Sequence, residues 1–264
     1  MPGLHGQLRV PGAPQAPGQA LVRLRHGAQG VSRQAPPDAH LRLEEARLYV
    51  ITPDASPDRV LEIATAAARG GADVVQLRNK KLPRGELLTL ARKIRKELSS
   101  PFMGAAPLRG TEGEGLEEAR RPLFIVNDHV DIALLSGADG VHLGPDDLSI
   151  ASARRIAGDR LLIGASASTV DRARQAVEEG ADYLGSGPAF ATPIKSEKQV
   201  IGPSGVAAIV RTVTVPVFAI GGIDESNLPL LTALGVRRAC VIRAVSEAPD
   251  PAQAAHRLRA MLTA

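Results

Sequence analysis

The chain has 264 residues, enough for one large α/β domain with a full core or for two small ones. With no Trp, two Tyr and four Phe, that core must be built from Ala, Val, Leu and Ile. No apolar run is long enough for a membrane span, and the net charge of +4 sits mostly in residues 1–40, where Arg9, Arg23, Arg25 and Arg33 face only Asp38, with no basic, aromatic-bearing face for nucleic acid.

Residues 1–40 hold six Pro and six Gly with no sustained period, a composition that buries too little apolar surface to offset the entropy of ordering. We read residues 1–45 as a disordered extension and residues 46–264 as a single folded domain. A transit peptide fits poorly, because the segment has one Ser and weak amphipathicity, and no apolar run follows its basic residues.

From residue 46, apolar runs and amphipathic stretches alternate. Leu48–Ile51 reads as a strand and Pro57–Arg69 as an Ala-rich helix ended by Gly70-Gly71. Val74–Leu77 with Arg84–Leu98, Leu123–Val126 with Val130–Ser136, and Val141–Leu143 with Ile150–Ala157 are the next three pairs. The fifth joins Leu161–Ile163 to Thr169–Glu179. The sixth opens at Tyr183-Leu184 and reaches the helix Ser204–Thr212 through a long polar loop. Val217–Ile220 with Glu225–Leu234 and Ala239–Ile242 with Ala252–Leu262 complete the series. Cys240, in the last strand, reads as core filler; as the only cysteine it excludes an internal disulfide and fits a reducing, cytoplasmic setting. Gly-Ala-Asp recurs, ending at Asp73, Asp139 and Asp182, each time between a helix and a strand. Eight strand–helix units in about 215 residues predict an α/β fold, a closed (β/α)8 TIM barrel with parallel strands. The Gly-rich segment Ser99–Pro122 then joins a helix to a strand on the bottom face, as an insertion without catalytic duty.

Such a barrel carries its functional residues just past the strands. Polar residues fall there: Gln76, Arg78 and Lys80 after strand two, Asn127 and Asp128 after three, Asp146 and Asp147 after four. Ser166 follows strand five, Thr192 and Lys195 follow six, and Gly221-Gly222 follows seven. The aspartates also suit helix caps. Acids and bases alternating around one rim, however, suit a phosphate-rich anion held by both a divalent cation and Lys/Arg contacts. Oxygen donors make Mg2+ the natural metal, with Asp128 and Asp147 as its ligands. Gly221-Gly222 lets backbone N–H groups approach a second phosphate at a helix N-terminus. No dinucleotide fingerprint, zinc spacing or complete nucleophile elbow occurs. His142, mid-strand, reads as structural; His129 reads equally as a helix-start residue or as support for the metal ligands.

Six pieces in chain order resemble the thiamine-phosphate synthase family over roughly residues 46–264. They are Gln76-Leu-Arg-Asn-Lys80, Ile125-Val-Asn-Asp128, Gly140-Val-His-Leu-Gly144 with Asp147 behind it, Gly164-Ala-Ser166, Gly187-Pro-Ala-Phe-Ala-Thr192 leading to Lys195, and Ala219-Ile-Gly-Gly-Ile223. The resemblance implies a transferase that couples a hydroxymethylpyrimidine diphosphate to a thiazole phosphate, giving thiamine phosphate and pyrophosphate. It implies Asp128 and Asp147 as Mg2+ ligands, and Arg78, Lys80, Asn127, Ser166 and Lys195 on the diphosphate. Gln76 would orient the pyrimidine, and Thr192 and Gly222 would bind the thiazole phosphate.

Two positions depart from the family pattern, which has a second Thr where this chain has Ile194 and Ser where it has Arg243, after Ile242. Both lie at the thiazole-phosphate end, where a working enzyme with a raised KM for that substrate is expected. The rivals are a thiazole tautomerase of the same fold, which needs no diphosphate apparatus, and a non-catalytic regulatory barrel that binds thiamine phosphates. The sequence does not specify the oligomeric state, and a homo-oligomer is compatible with it.

Overall fold

Each apolar run forms a strand because both of its faces are buried, one in the barrel interior and one under a helix. The computed structural model describes residues 38–100, 121–192 and 199–263. Most of the expected extension and insertion, residues 1–37 and 101–120, lies outside the described residues, as do Ile194 and Lys195. The order is α1 (Ala39–Glu45), β1 (Leu48–Ile51), α2 (Pro57–Arg69), β2 (Val74–Leu77), α3 (Arg84–Leu98), β3 (Leu123–Asn127), α4 (Val130–Ser136), β4 (Gly140–Leu143) and α5 (Ile150–Ala157). Then come β5 (Leu162–Ala167), α6 (Val170–Glu178), β6 (Tyr183–Ser186), α7 (Gly202–Val210), β7 (Val217–Ile220), α8 (Leu228–Thr232), β8 (Ala239–Val241), α9 (Arg243–Ser246) and α10 (Pro251–Thr263). The strands close into a parallel barrel in chain order, sealed by β1 against β8 through Leu48 opposite Ala239.

Two layers make the core. Outward strand residues such as Val75, Phe124 and Val126 belong to a cluster that includes Leu87, Leu90 and Ile94 of α3. Inward residues form a second cluster around Tyr49, Tyr183 and Phe218, half of the chain's six aromatics. Their ring centroids lie 5.3–6.0 Å apart, with Phe218 edge-on to both tyrosines. The hydroxyls of Tyr49 and Tyr183 are 3.0 Å apart, and Gln76 Nε2 donates to Tyr49 at 2.7 Å. Burial raises the pKa of both tyrosines, so the interior network stays neutral.

Helix α1 corrects the expectation of disorder through residue 45. Ala39 and Leu43, one helical turn apart, are buried in the inner cluster with Ala46 and the strand residues Val74 and Leu123. Arg42 and Arg238 tie the helix down, donating to the carbonyls of Arg121 and Glu44. Apolar contact with the open bottom of the barrel outweighs an unpromising local sequence.

The Gly-Ala-Asp repeats are the bottom-face fasteners. Gly71, Gly137 and Gly180 all have positive φ, and the next N–H bonds back to the helix, as Ala72 does to Ala67. Each aspartate then grips the start of the preceding odd-numbered strand. Asp73 accepts the N–H groups of Arg47 and Leu48, Asp139 that of Phe124, and Asp182 that of Ile163. Arginines take the remaining oxygen capacity: Arg259 on Asp73, Arg95 and Arg121 on Asp139, Arg154 on Asp182. A fourth copy, Gly235-Val236, keeps the turn ahead of β8 but has arginine in place of the acid.

Candidate functional site

Asp128 is the one non-glycine residue among the described residues with positive φ, 63°, a conformation that costs most side chains free energy but suits Asp better than most. Its N–H donates to the carbonyl of His142, and the N–H of His129 donates to the carbonyl of Asn127. The turn brings the Asp128 carboxyl against that of Asp147, itself fixed by a 2.7 Å bond from the Gly144 N–H. Burial, then the hydrogen bond and charge of Asp147, push the Asp128 pKa from 3.8 to about 6, against the opposing pull of Lys80 and Arg78. Lys80 Nζ lies 3.7 Å from Asp128 Oδ2. Two carboxyls close enough to share a proton could hold a divalent cation in its place. No group of three or more His, Cys, Asp or Glu among the described residues forms a fuller cage. A two-oxygen donor set fits a cation that keeps waters and takes further oxygens from a ligand.

Neighbouring strand ends shape this side. Arg78 Nη1 binds Asp54 Oδ2 at 2.7 Å, and Asp54 Oδ1 accepts the N–H of Lys80 at 2.8 Å. Burial works against ionisation of Asp54, but the Lys80 N–H and Arg78 more than offset it and hold its pKa below 3.8. Gln76 is 2 % exposed and held by Tyr49. His129 caps α4 3.4 Å from Arg84, and burial together with that charge lowers its pKa.

The opposite side of the rim is a cavity of about 350 Å3, within the usual range for small-ligand sites. Ser166, Thr192, Gly222, Ile242 and Arg243 line it, and Cys240 lies in its floor. A Cβ on Gly222 would come 2.5 Å from the Ala191 carbonyl oxygen, so only glycine lets the loops after β6 and β7 pack this closely. His142 Nε2 is 3.1 Å from Ser166 Oγ.

The expected residues thus fall into two groups: Arg78, Lys80, Asp128 and Asp147 on the β2–β4 side, and Ser166, Thr192, Gly222, Ile242 and Arg243 around the cavity. Gln76 lies inside β2 and Asn127 is the last residue of β3, so neither follows its strand as expected, and neither lines the cavity. Two further expectations are corrected. Ser166 lies within β5, not after it, because Gly164-Ala-Ser166 continues the extended chain. Gly221-Gly222 does not open a helix: α8 begins at Leu228, since Asp224 and Asn227 side chains bind the intervening backbone N–H groups in a turn. Asp54, after β1, and Arg172 on α6, in the cavity wall, were not anticipated. The strand-end rule applied to β1 would have found Asp54; nothing local marks Arg172.

Residues 112–245 match the sequence model of the thiamine monophosphate synthase family. A thiamine-phosphate synthase of Moorella thermoacetica is 42% identical over 204 residues, 77% of this chain and 88% of that protein. One from Gloeobacter violaceus is 43% identical over 215 residues, 81% of this chain but 57% of the relative, so the chain spans little more than half of that longer protein. The structure of a thiamine phosphate pyrophosphorylase from Pyrococcus furiosus superposes with a TM-score of 0.70 at 35% identity, covering 84% of this chain and 98% of that one. No helix among the described residues is long and apolar enough to cross a membrane.

Proposed function

Because the chain belongs to the thiamine monophosphate synthase family, we propose that it is a transferase joining a hydroxymethylpyrimidine diphosphate to a hydroxyethylthiazole phosphate. The bond between the pyrimidine methylene carbon and the diphosphate oxygen breaks, and its electron pair leaves with pyrophosphate. The thiazole nitrogen forms the new C–N bond. The electron-rich pyrimidine supports a cationic methylene, so the protein's task is to stabilise the leaving group rather than to supply a strong base.

The observation that carries this reading is the Asp128–Asp147 carboxyl pair beside Lys80 and Arg78, at one edge of a rim whose other edge is a ligand-sized cavity. Asp128 and Asp147 would hold Mg2+, which when bound neutralises diphosphate charge. Arg78, Lys80 and Lys195 supply cations to the departing pyrophosphate, with Asn127 and Ser166 as hydrogen-bonding partners. Gln76, fixed by Tyr49, orients the pyrimidine ring. Thr192, Gly222, Ile242 and Arg243 receive the thiazole phosphate in the cavity.

Purified protein with both substrates and Mg2+ is expected to form thiamine phosphate and pyrophosphate. EDTA should stop turnover, and Asp128→Ala should slow it ~10²–10³-fold. Metal-independent turnover, or full activity in the variant, would overturn the assignment. Isomerisation of a thiazole carboxylate phosphate without coupling would assign the tautomerase chemistry instead.

A further inference from the structure

We propose that Asp54 is a positioning residue for the leaving-group end, holding Arg78 and Lys80 in the arrangement that receives a diphosphate. The proposal rests on the assignment of those two residues to the diphosphate. Asp54 lies between β1 and α2, 24 residues before Arg78 and 26 before Lys80, and divides its oxygens between them. Thr52, in the same loop, accepts the Arg78 N–H at 3.0 Å and donates to the Arg78 carbonyl at 3.2 Å. Asn79 completes the join: Nδ2 donates to the Ala55 carbonyl, while Oδ1 accepts the N–H groups of Lys81 and Leu82.

The segment from Arg78 to Leu82 is neither helix nor strand, so no backbone ladder fixes it. Its shape is set by these side-chain contacts from the β1 loop. Asp54 occupies only Nη1 of Arg78, and Nε and Nη2 have no partner among the described residues. A guanidinium held by one arm presents its other N–H groups to two phosphate oxygens at little further cost in rotamer entropy. The Arg78 side chain is 16% exposed and that of Asp54 29%, which shelters the pair from full solvent screening. Lys80 gains differently: its main chain is pinned by Asp54, and its side chain remains 58% exposed and able to reach a ligand.

The test uses inorganic pyrophosphate with Mg2+ as the probe, binding it calorimetrically to wild type, Asp54→Asn and Asp54→Ala, alongside KM for each substrate and the melting temperature. Pyrophosphate affinity should fall about tenfold in Asp54→Ala, and KM for the pyrimidine diphosphate should rise by a similar factor. KM for the thiazole phosphate should stay within twofold. Asp54→Asn, which can still accept the Lys80 N–H, should fall between Asp54→Ala and wild type. Pyrophosphate affinity that is unchanged or tighter in both variants overturns the proposal, as does an equal rise in both KM values with loss of melting temperature. A wild type that neither couples nor binds pyrophosphate overturns the functional reading and this inference with it. Wild-type coupling with unaltered variants overturns the inference alone.

Discussion

Aspartates at the two ends of the barrel do opposite work. At the bottom, Asp73, Asp139 and Asp182 each accept a backbone N–H from the neighbouring strand and face at least one arginine. Asp139 is 1% exposed. Burial favours its neutral form, yet the Arg121 hydrogen bonds, the charges of Arg95 and Arg121 and the Phe124 N–H more than compensate and lower its pKa. At the top, Asp128 faces another carboxyl from a positive-φ turn, and its pKa rises to about 6. The bottom acids have all the partners they need. The top pair has an electrostatic deficit that a cation would relieve. One end of the strands is built for stability, and the other is where a barrel of this kind is expected to carry its site.

The largest effect should come from the bottom. Asp139→Ala leaves the Arg95 and Arg121 charges and the Phe124 N–H without their acceptor, and should destabilise the fold by ~3–5 kcal/mol in urea unfolding. Activity per folded molecule should be unchanged; a loss below ~1 kcal/mol would break the comparison from the stability side.

The top should show the reverse sign. A carboxyl whose pKa is about 6 folded and 3.8 unfolded binds its proton more tightly in the folded state. Metal-free protein therefore loses stability as pH rises from about 4 through about 6, and the whole penalty is present above that. Asp128→Asn removes the charge, so in EDTA at pH 8 the variant should be ~1–3 kcal/mol more stable than wild type. The gap should close towards pH 4, and Mg2+ should raise the melting temperature of wild type only. Equal stability at pH 8 would show that Asp147 does not burden Asp128.

The smallest effect links the two sides of the rim. His142→Phe keeps the ring's place near Tyr183 but removes the contact with Ser166, worth ~1 kcal/mol or a few-fold in kcat. In a double-mutant cycle, the His142→Phe substitution should have no further effect once Ser166→Ala is in place. Independent, additive effects would show that His142 serves packing alone.

The barrel was legible because its signals are local. Apolar runs of strand length, helices with one apolar face and Gly-Ala-Asp punctuation each occupy a few consecutive residues. Most candidate site residues were chosen by one rule, polar residues at strand ends, and the structure puts Arg78, Lys80, Asp128 and Asp147 together on one side of that rim. The rule was blurred at Ser166, where β5 runs on to Ala167, and at Gly222, where a side-chain turn replaced the expected helix start. Helix α1 was hidden because seven residues beside a Pro-rich stretch carry little helical signal; the barrel floor they cover supplies the driving force.

The sequence by itself determined the repeat, the class of fold, the family and the residue types on the rim. Their chemistry is written in side chains, and their order is imposed by right-handed βα crossovers. Only the tertiary structure decided which of those residues meet. Asp128 and Asp147 are nineteen residues apart, and Asp54 and Arg78 twenty-four, distances over which sequence carries no pairing information. Barrel closure joins β1 to β8 and brings neighbouring strand ends side by side. That geometry gives an otherwise ordinary Asp54 a grip on Arg78, and turns one carboxylate pair into a candidate cation site while three other aspartates become fasteners.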